Sequence, residues 1–377
     1  MPGLGAATRS RHRIAHALRW ALALAALAFV AWVVPVRDRC WDPRSPASTR
    51  LAVSRDADGA GACVLHARTG DVRIDAAQCS ELACEPGVAS TMRHAHLGLL
   101  AVLPLLYALG TVAWAARWRA LLGLTGVHLP LGEVWRVSIE AQAGGVLLPG
   151  GIGGDALRIA SVVARLPGGE REHSPVSIAV ASVLLDRAVG LAVVGATAAV
   201  LAFAWGGTQA GAIANVLAAL PVAFVLGVVA VRRVPPRGIG WLVGARFGRI
   251  AKPLLEYVRD PRAPRTLLVA AALSALVAGA QFATIRGLVS ALGGVPTAEK
   301  WVYVGTAMAF VVSALPGLPG AWGTADATYV LFFGLAGLPA GIALAVCLSY
   351  RMFWYATAVV GAVLHLGRAR NLGRARP

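Results

Sequence analysis

Two interruptions in otherwise apolar sequence constrain this chain more than any other feature. The first is Leu148-Pro149-Gly150-Gly151-Ile152-Gly153-Gly154-Asp155-Ala156-Leu157-Arg158. Pro149 removes a backbone donor, and the glycines lower helix propensity, so a continuous membrane helix cannot run through it. If a helix restarts near Gly154, Asp155 falls in its first turn and Arg158 on the same face, three residues on. The second interruption is Leu315-Pro316-Gly317-Leu318-Pro319-Gly320-Ala321-Trp322-Gly323-Thr324-Ala325-Asp326. It repeats the Leu-Pro-Gly, the later glycine and the aspartate. Each is followed by an arginine deep in an apolar span, Asp186-Arg187 after the first and Tyr350-Arg351 after the second. An internal repeat is the expectation, although a chance likeness of two Gly/Pro loops would look similar.

Such breaks matter because their surroundings are those of a membrane protein. Of 377 residues, 57% are hydrophobic and only 14% charged, too little polar surface for a soluble domain. The formal charge of +17 points first to nucleic acid. The arginines, however, lie between and beside apolar spans. That is the positive-inside pattern, suited also to an anionic membrane surface, so no nucleic-acid partner is expected.

The charge pattern sets a topology. Residues 1–36 hold a basic start and an apolar run, read as a first transmembrane helix; a cleaved signal peptide has a similar plan but is usually shorter. Residues 37–94 then lie outside. They carry Cys40, Cys63, Cys79 and Cys84, an even set that predicts disulfides in an oxidising compartment, with three pairings open. A zinc site is the rival and is disfavoured by irregular spacing and a single intervening histidine, His66. Short strands near 50–53 and 63–67 are conceivable. The span 96–116 returns inside, where Arg117 and Arg119 mark the cytoplasmic end. Residues 174–205 cross outward, 212–231 return, and a loop rich in arginine fixes that side as cytoplasmic. Its apolar residues, including Trp241 and Phe247, suit an amphipathic helix on anionic lipid. Residues 266–292 cross outward and 339–366 return, ending in a basic cytoplasmic tail, 368–377.

Two stretches do not fit as crossings. Residues 128–163 must enter and leave on the cytoplasmic side, and 301–337 on the outer side. Neither arm of either reaches the ~20 apolar residues a crossing needs. Two re-entrant hairpins of opposite orientation result, with a plain interfacial hairpin as the alternative to the first. Inverted repeats around a midplane site recur in transporters. The expected fold is therefore all-α and polytopic, with two broken-helix hairpins and a small disulfide-stapled extracytoplasmic insert. Its parts are the N-terminal helix (1–36), the insert (37–94), the main transmembrane domain (95–367) and the tail.

Ionisable groups at membrane depth each cost on the order of 3 kcal/mol on insertion scales unless paired or wet. Asp155, Arg158, Asp186, Arg187, Asp326 and Arg351 are the candidates. Ion pairs stapling helices would account for any one of them. As a set, arginines beside helix starts make a receptor for an anionic phosphate, and a lipid headgroup is the phosphate at hand. Pro149, Gly150, Gly153, Gly154, Pro316, Gly317, Gly320 and Gly323 are the candidate hinges. No metal or cofactor is implied, and no motif pairs a nucleophile with a base, so an enzyme is not expected.

Taken in order, the first break through Arg158, then Asp186-Arg187, the second break with Asp326, and Tyr350-Arg351 resemble the signatures of a known family. It is the flippase-like family built on the transmembrane region of lysylphosphatidylglycerol synthase, and the resemblance covers roughly residues 96–366. Two departures stand out. Asp326 occupies a position where glutamate is common, and Gly144-Gly145 stand near where an asparagine often precedes the first Leu-Pro. The resemblance implies movement of lipids or lipid-linked precursors across the membrane. Some members are fused to soluble enzyme domains; none is seen here, so headgroup aminoacylation is not expected. The expected partner is a membrane phospholipid or a polyprenyl-linked lipid, in the cell (inner) membrane with both termini cytoplasmic. The alternatives are an accessory subunit that recruits an extracytoplasmic enzyme through residues 37–94, and a polyprenyl-donor membrane transferase.

Overall fold

The computed structural model describes residues 24–25, 28–42, 51–55, 63–67, 70–147, 152–166, 174–205, 208–233, 252–313 and 321–374. Most of the chain is helical. Five helices are long and apolar enough to cross a membrane. In chain order after the insert the helices are α3 (Leu97–Leu124), α4 (Leu131–Leu147), α5 (Ile152–Val163), α6 (Pro175–Trp205), α7 (Thr208–Arg233), α8 (Ala263–Ala291), α9 (Lys300–Ser313), α10 (Thr324–Leu335) and α11 (Ala340–Arg374). The long ones are α3, α6, α7, α8 and α11.

The arms flanking the two sequence breaks are short. Helices α4 and α5 have 17 and 12 residues, and α9 and α10 have 14 and 12. At 1.5 Å per residue the longest extends about 25 Å, less than a hydrocarbon core of about 30 Å. The arms pair within each hairpin, α4 on α5 and α9 on α10. Between hairpins the packing is reciprocal. The first arm of each lies on the long helix that follows the other hairpin: α4 on α11, α9 on α6. The second arm of each lies on its own following helix: α5 on α6, α10 on α11. Helices α3 and α8, which precede the two hairpins, pack extensively on each other. The repeat expected from two short motifs is thus matched by a repeat of helix order and of packing partners. Helix α7 stands outside it, packed on α6 with most of its surface uncovered.

Close helix approaches explain several glycines. A Cβ on Gly144 of α4 would sit 2.7 Å from the Gly153 carbonyl oxygen, and one on Gly154 would sit 2.8 Å from the Ala141 carbonyl oxygen. Gly153 and Gly154 therefore lie inside α5, where they let the two arms touch backbone to backbone. The other proposed hinge positions Pro149, Gly150, Pro316, Gly317 and Gly320 lie outside the described residues. Gly323 is described, with φ of +79° as the residue preceding α10, a conformation only glycine adopts at no cost.

Residues 37–94 correct the expectation of a loop-rich insert in an all-α protein. Strands β1 (Arg39–Trp41), β2 (Leu51–Arg55), β3 (Cys63–Ala67), β4 (Gly70–Ile74) and β5 (Ala83–Glu85) form one antiparallel sheet ordered β4-β3-β2-β1-β5. Two short helices complete it, α1 (Ala76–Glu81) and α2 (Val88–Arg93). The strand segments are too short for alternation to reveal them; pairing along the sheet is what fixes them. Cys40 pairs with Cys84 on adjacent strands β1 and β5, and Cys63 at the start of β3 pairs with Cys79 of α1. Among the described apolar residues of the insert Cys40, Val53 and Cys63 form the buried cluster, a small core, and a small core commonly needs such cross-links. The insert also abuts the membrane-type helices. Glu85 accepts the Ala340 backbone N–H at 3.3 Å, placing a carboxylate at the positive end of α11.

Candidate functional site

Two clusters of buried charge stand out inside the helical body, one at each hairpin. In the first, Asp155 lies in the opening turn of α5, where its charge opposes the helix dipole. Its Oδ2 lies 2.6 Å from Arg187 Nε on α6, and its Oδ1 4.0 Å from Arg158. Asp186, 1% exposed, is held on both sides. Arg158 donates to its Oδ2 at 2.8 Å, and Arg117 Nε of α3 donates to its Oδ1 at 2.7 Å. Arg117 also donates to Ser274 Oγ of α8 at 3.1 Å. The Arg158 guanidinium lies 4.0 Å over the Trp118 ring and 5.1 Å from Trp114. Weakly hydrated guanidinium, unlike ammonium, tolerates such an aromatic, low-water seat.

In the second centre, Asp326 occupies the third position of α10 and reaches back to accept the Gly323 N–H at 2.8 Å. Arg351 of α11 donates to its Oδ1 from Nε at 3.1 Å and from a terminal nitrogen at 3.0 Å. The Cys347 thiol meets the same oxygen at 2.8 Å. Arg351 also donates to the Ala321 carbonyl at 3.2 Å and lies 4.4 Å over the Trp322 ring. Each centre thus holds an aspartate in the first turn of a hairpin's second arm, an arginine from the long helix that follows, and a guanidinium over a tryptophan ring, Arg158 over Trp118 of α3 in the first and Arg351 over Trp322 in the second. Aspartate suits the second centre: its short side chain makes the capping bond and still presents an oxygen to Arg351.

Cavities lie between the centres. One of about 300 Å³ is lined by Thr111, Trp114 and Arg117 of α3, Gln142 of α4, Gly190 of α6, and Ser274 and Gln281 of α8. Another of about 260 Å³ is lined by Gly145, Ser313, Tyr329, Tyr350 and Arg351. They share Tyr107, Phe310 and Trp354 as a common wall. Tyr350 packs edge-on against Tyr107 and Phe310, with ring centroids at 5.5 and 6.0 Å. The walls come from α3, α4, α6, α8, α9, α10 and α11, so both repeats build both cavities.

Of the six charged residues singled out from sequence, Arg351 lines one of these two cavities. Asp155, Arg158, Asp186 and Arg187 form the network behind the other. The side chain that presents this network to the cavity is Arg117, which sequence reasoning assigned to the cytoplasmic boundary. That assignment is corrected: α3 continues seven residues beyond it to Leu124, and Arg117 is 7% exposed. An arginine near the end of an apolar run looks like a topology marker; the only cue against it was the further apolar stretch Ala120–Leu124. Gly190 is the space that admits it, since a Cβ there would lie 2.9 Å from a guanidinium nitrogen. Arg117, Arg158 and Arg187 meet Asp155 and Asp186 in one connected network beside the cavity. Among the described residues no cluster of His, Cys, Asp and Glu is arranged to hold a metal ion.

The sequence matches the family model described as lysylphosphatidylglycerol synthase TM region over residues 87–361, well over half its length. The chain belongs to this family. The match begins one residue before α2, so the whole five-stranded sheet precedes it. No curated protein matches the chain. Membership of a lipid-related membrane family and five membrane-length helices together make this a polytopic helical membrane protein.

Proposed function

We propose that this chain is a lipid flippase or lipid-linked-precursor transporter that takes an anionic headgroup between its two hairpins. The observation that carries the proposal is Arg117, a buried guanidinium that holds Asp186 and at the same time lines the 300 Å³ cavity between the repeats. A guanidinium at a cavity wall presents a planar fork of donors that suits an anionic headgroup. Arg351 serves the neighbouring cavity in the same way, with Asp326 as its counter-charge in the empty state. The aspartates position the arginines. The two hairpins are re-entrant, one open to the cytoplasm and one to the outside, and their short arms let the cavities open alternately. The insert is extracytoplasmic and disulfide-stapled, the termini are cytoplasmic, and the chain carries out no covalent chemistry on the lipid.

The test is headgroup accessibility in proteoliposomes that contain fluorescent phosphatidylglycerol. Wild-type protein should expose inner-leaflet probe to an external reductant, and Arg117→Gln and Arg351→Gln should each slow this at least 10-fold. Equal rates in wild type, both variants and protein-free vesicles would contradict the proposal. A second reading is favoured by one feature, the seating of the insert on the start of α11 through Glu85 and Ala340. On that reading the insert recruits an envelope enzyme and the helices are its anchor. Deleting the insert would then abolish partner capture, and the arginine variants would behave as wild type.

A further inference from the structure

A large polar cavity lies outside the two centres, where the insert meets the helices. Its volume is about 1080 Å³, and its wall includes Arg37, Asp38, Ser90, Arg93 and His94 from the insert with Leu292 and Ile342 from the ends of α8 and α11. The sole carboxylate among these lining residues is already engaged. Asp38 Oδ1 accepts the Gly87 N–H at 2.8 Å and the Ser90 hydroxyl. His94 has its Nδ1 2.8 Å from the Ser90 carbonyl oxygen, which leaves Nε2 turned to other partners. The two guanidiniums therefore face a space whose one acid is committed to holding the backbone. Planar guanidinium forks match the oxygens of a phosphate.

The same cavity has an apolar side. Val36 lines it and is 70% exposed; in the helical segment 28–33 just before it, Phe29 and Trp32, three residues apart and so on one face, are 37% and 78% exposed. The three give exposed apolar surface next to the cavity. A free phosphate compound has no use for such a surface. We infer that this junction is a binding site for a phosphate-bearing lipid, with the phosphate on Arg37 and Arg93 and the chains along Val36, Trp32 and Phe29. Ile342 in its wall lies five residues before Cys347 on α11, about 7.5 Å along the helix from the cavity that holds Arg351. The insert thus supplies a waiting position for lipid at one end of the helical body. This holds whether or not the protein transports.

The experiment uses the full chain in detergent and two probes, dioctanoyl phosphatidylglycerol and glycerol 3-phosphate, with binding read by tryptophan fluorescence and by calorimetry. The wild type should bind the lipid at least 10-fold tighter than the glycerol phosphate. Arg37→Gln/Arg93→Gln should weaken lipid binding at least 10-fold with an unchanged melting midpoint. Val36→Ser should weaken the lipid and leave glycerol phosphate as it was. Equal lipid binding by the double variant and the wild type overturns the site. Glycerol phosphate binding as tightly as the lipid overturns the choice of a lipid ligand. Arg117→Gln serves as the control for the core cavity: lipid binding lost there and kept in the double variant also overturns the site.

Discussion

Asp186 is the residue on which the buried charges depend. It is reached by Arg117 from α3 and Arg158 from α5, so one carboxylate joins three helices. Removing one partner of a buried ion pair commonly costs about 3–5 kcal/mol, because the other charge is left uncompensated. Asp186→Asn should therefore lower the thermal midpoint of the detergent-purified protein by several degrees, and Asp186→Asn/Arg117→Met should restore part of it. A double variant no more stable than the single one would show that the two residues do not act on each other. Gly190→Leu offers a finer probe. It leaves every charge in place and pushes on the Arg117 guanidinium, so it should reduce lipid movement while folding is retained. The sequence made Asp186-Arg187 visible because charge in the middle of an apolar span is conspicuous. It hid Arg117, because an arginine near a helix end has an ordinary explanation.

Among the elements, the four short arms were legible and their contacts were not. Proline and glycine inside apolar sequence announce a break, and too few apolar residues on each side announce short helices. Nothing in the order of residues told that α4 would lie on α11 and α9 on α6, since those contacts join parts of the chain some two hundred residues, or about one hundred, apart. The glycines of α5, candidate hinges by their effect on helix propensity, also pack against Ala141 and Gly144, a role distinct from bending. That difference is testable. Gly154→Leu should drive the arms apart and cost about 1–3 kcal/mol, the range for overpacking. Gly145→Ala, with only the Trp354 ring 3.9 Å away, should be tolerated. The insert was legible by its cysteines alone. Its five strands, three to five residues each, are too short to show a period. Removing the Cys40–Cys84 link, which closes a separation of 44 residues, should cost the insert about 2–4 kcal/mol. Limited proteolysis of Cys40→Ser/Cys84→Ser within residues 37–94, with the helical body left intact, would register it.

For the whole molecule, the central relation is between two repeats of long helix, hairpin and long helix, and a pair of cavities that both repeats line. Shared walls mean that a change in one hairpin alters both cavities, which is what alternate opening requires. Charge asymmetry along the chain predicts opposite directions for the two units. Reciprocal packing, with each unit covering surface that the other exposes, is compatible with that arrangement. Opposite orientation is also the claim most open to direct attack. Single cysteines at four exposed positions flank the hairpins: His128 and Ser174 around the first, Val295 and Leu335 around the second. Labelled in intact cells with a membrane-impermeant maleimide, His128→Cys and Ser174→Cys should stay unmodified until the membrane is opened, while Val295→Cys and Leu335→Cys should react at once. Labelling of all four from the same side, or of the two ends of one hairpin from opposite sides, would contradict the account.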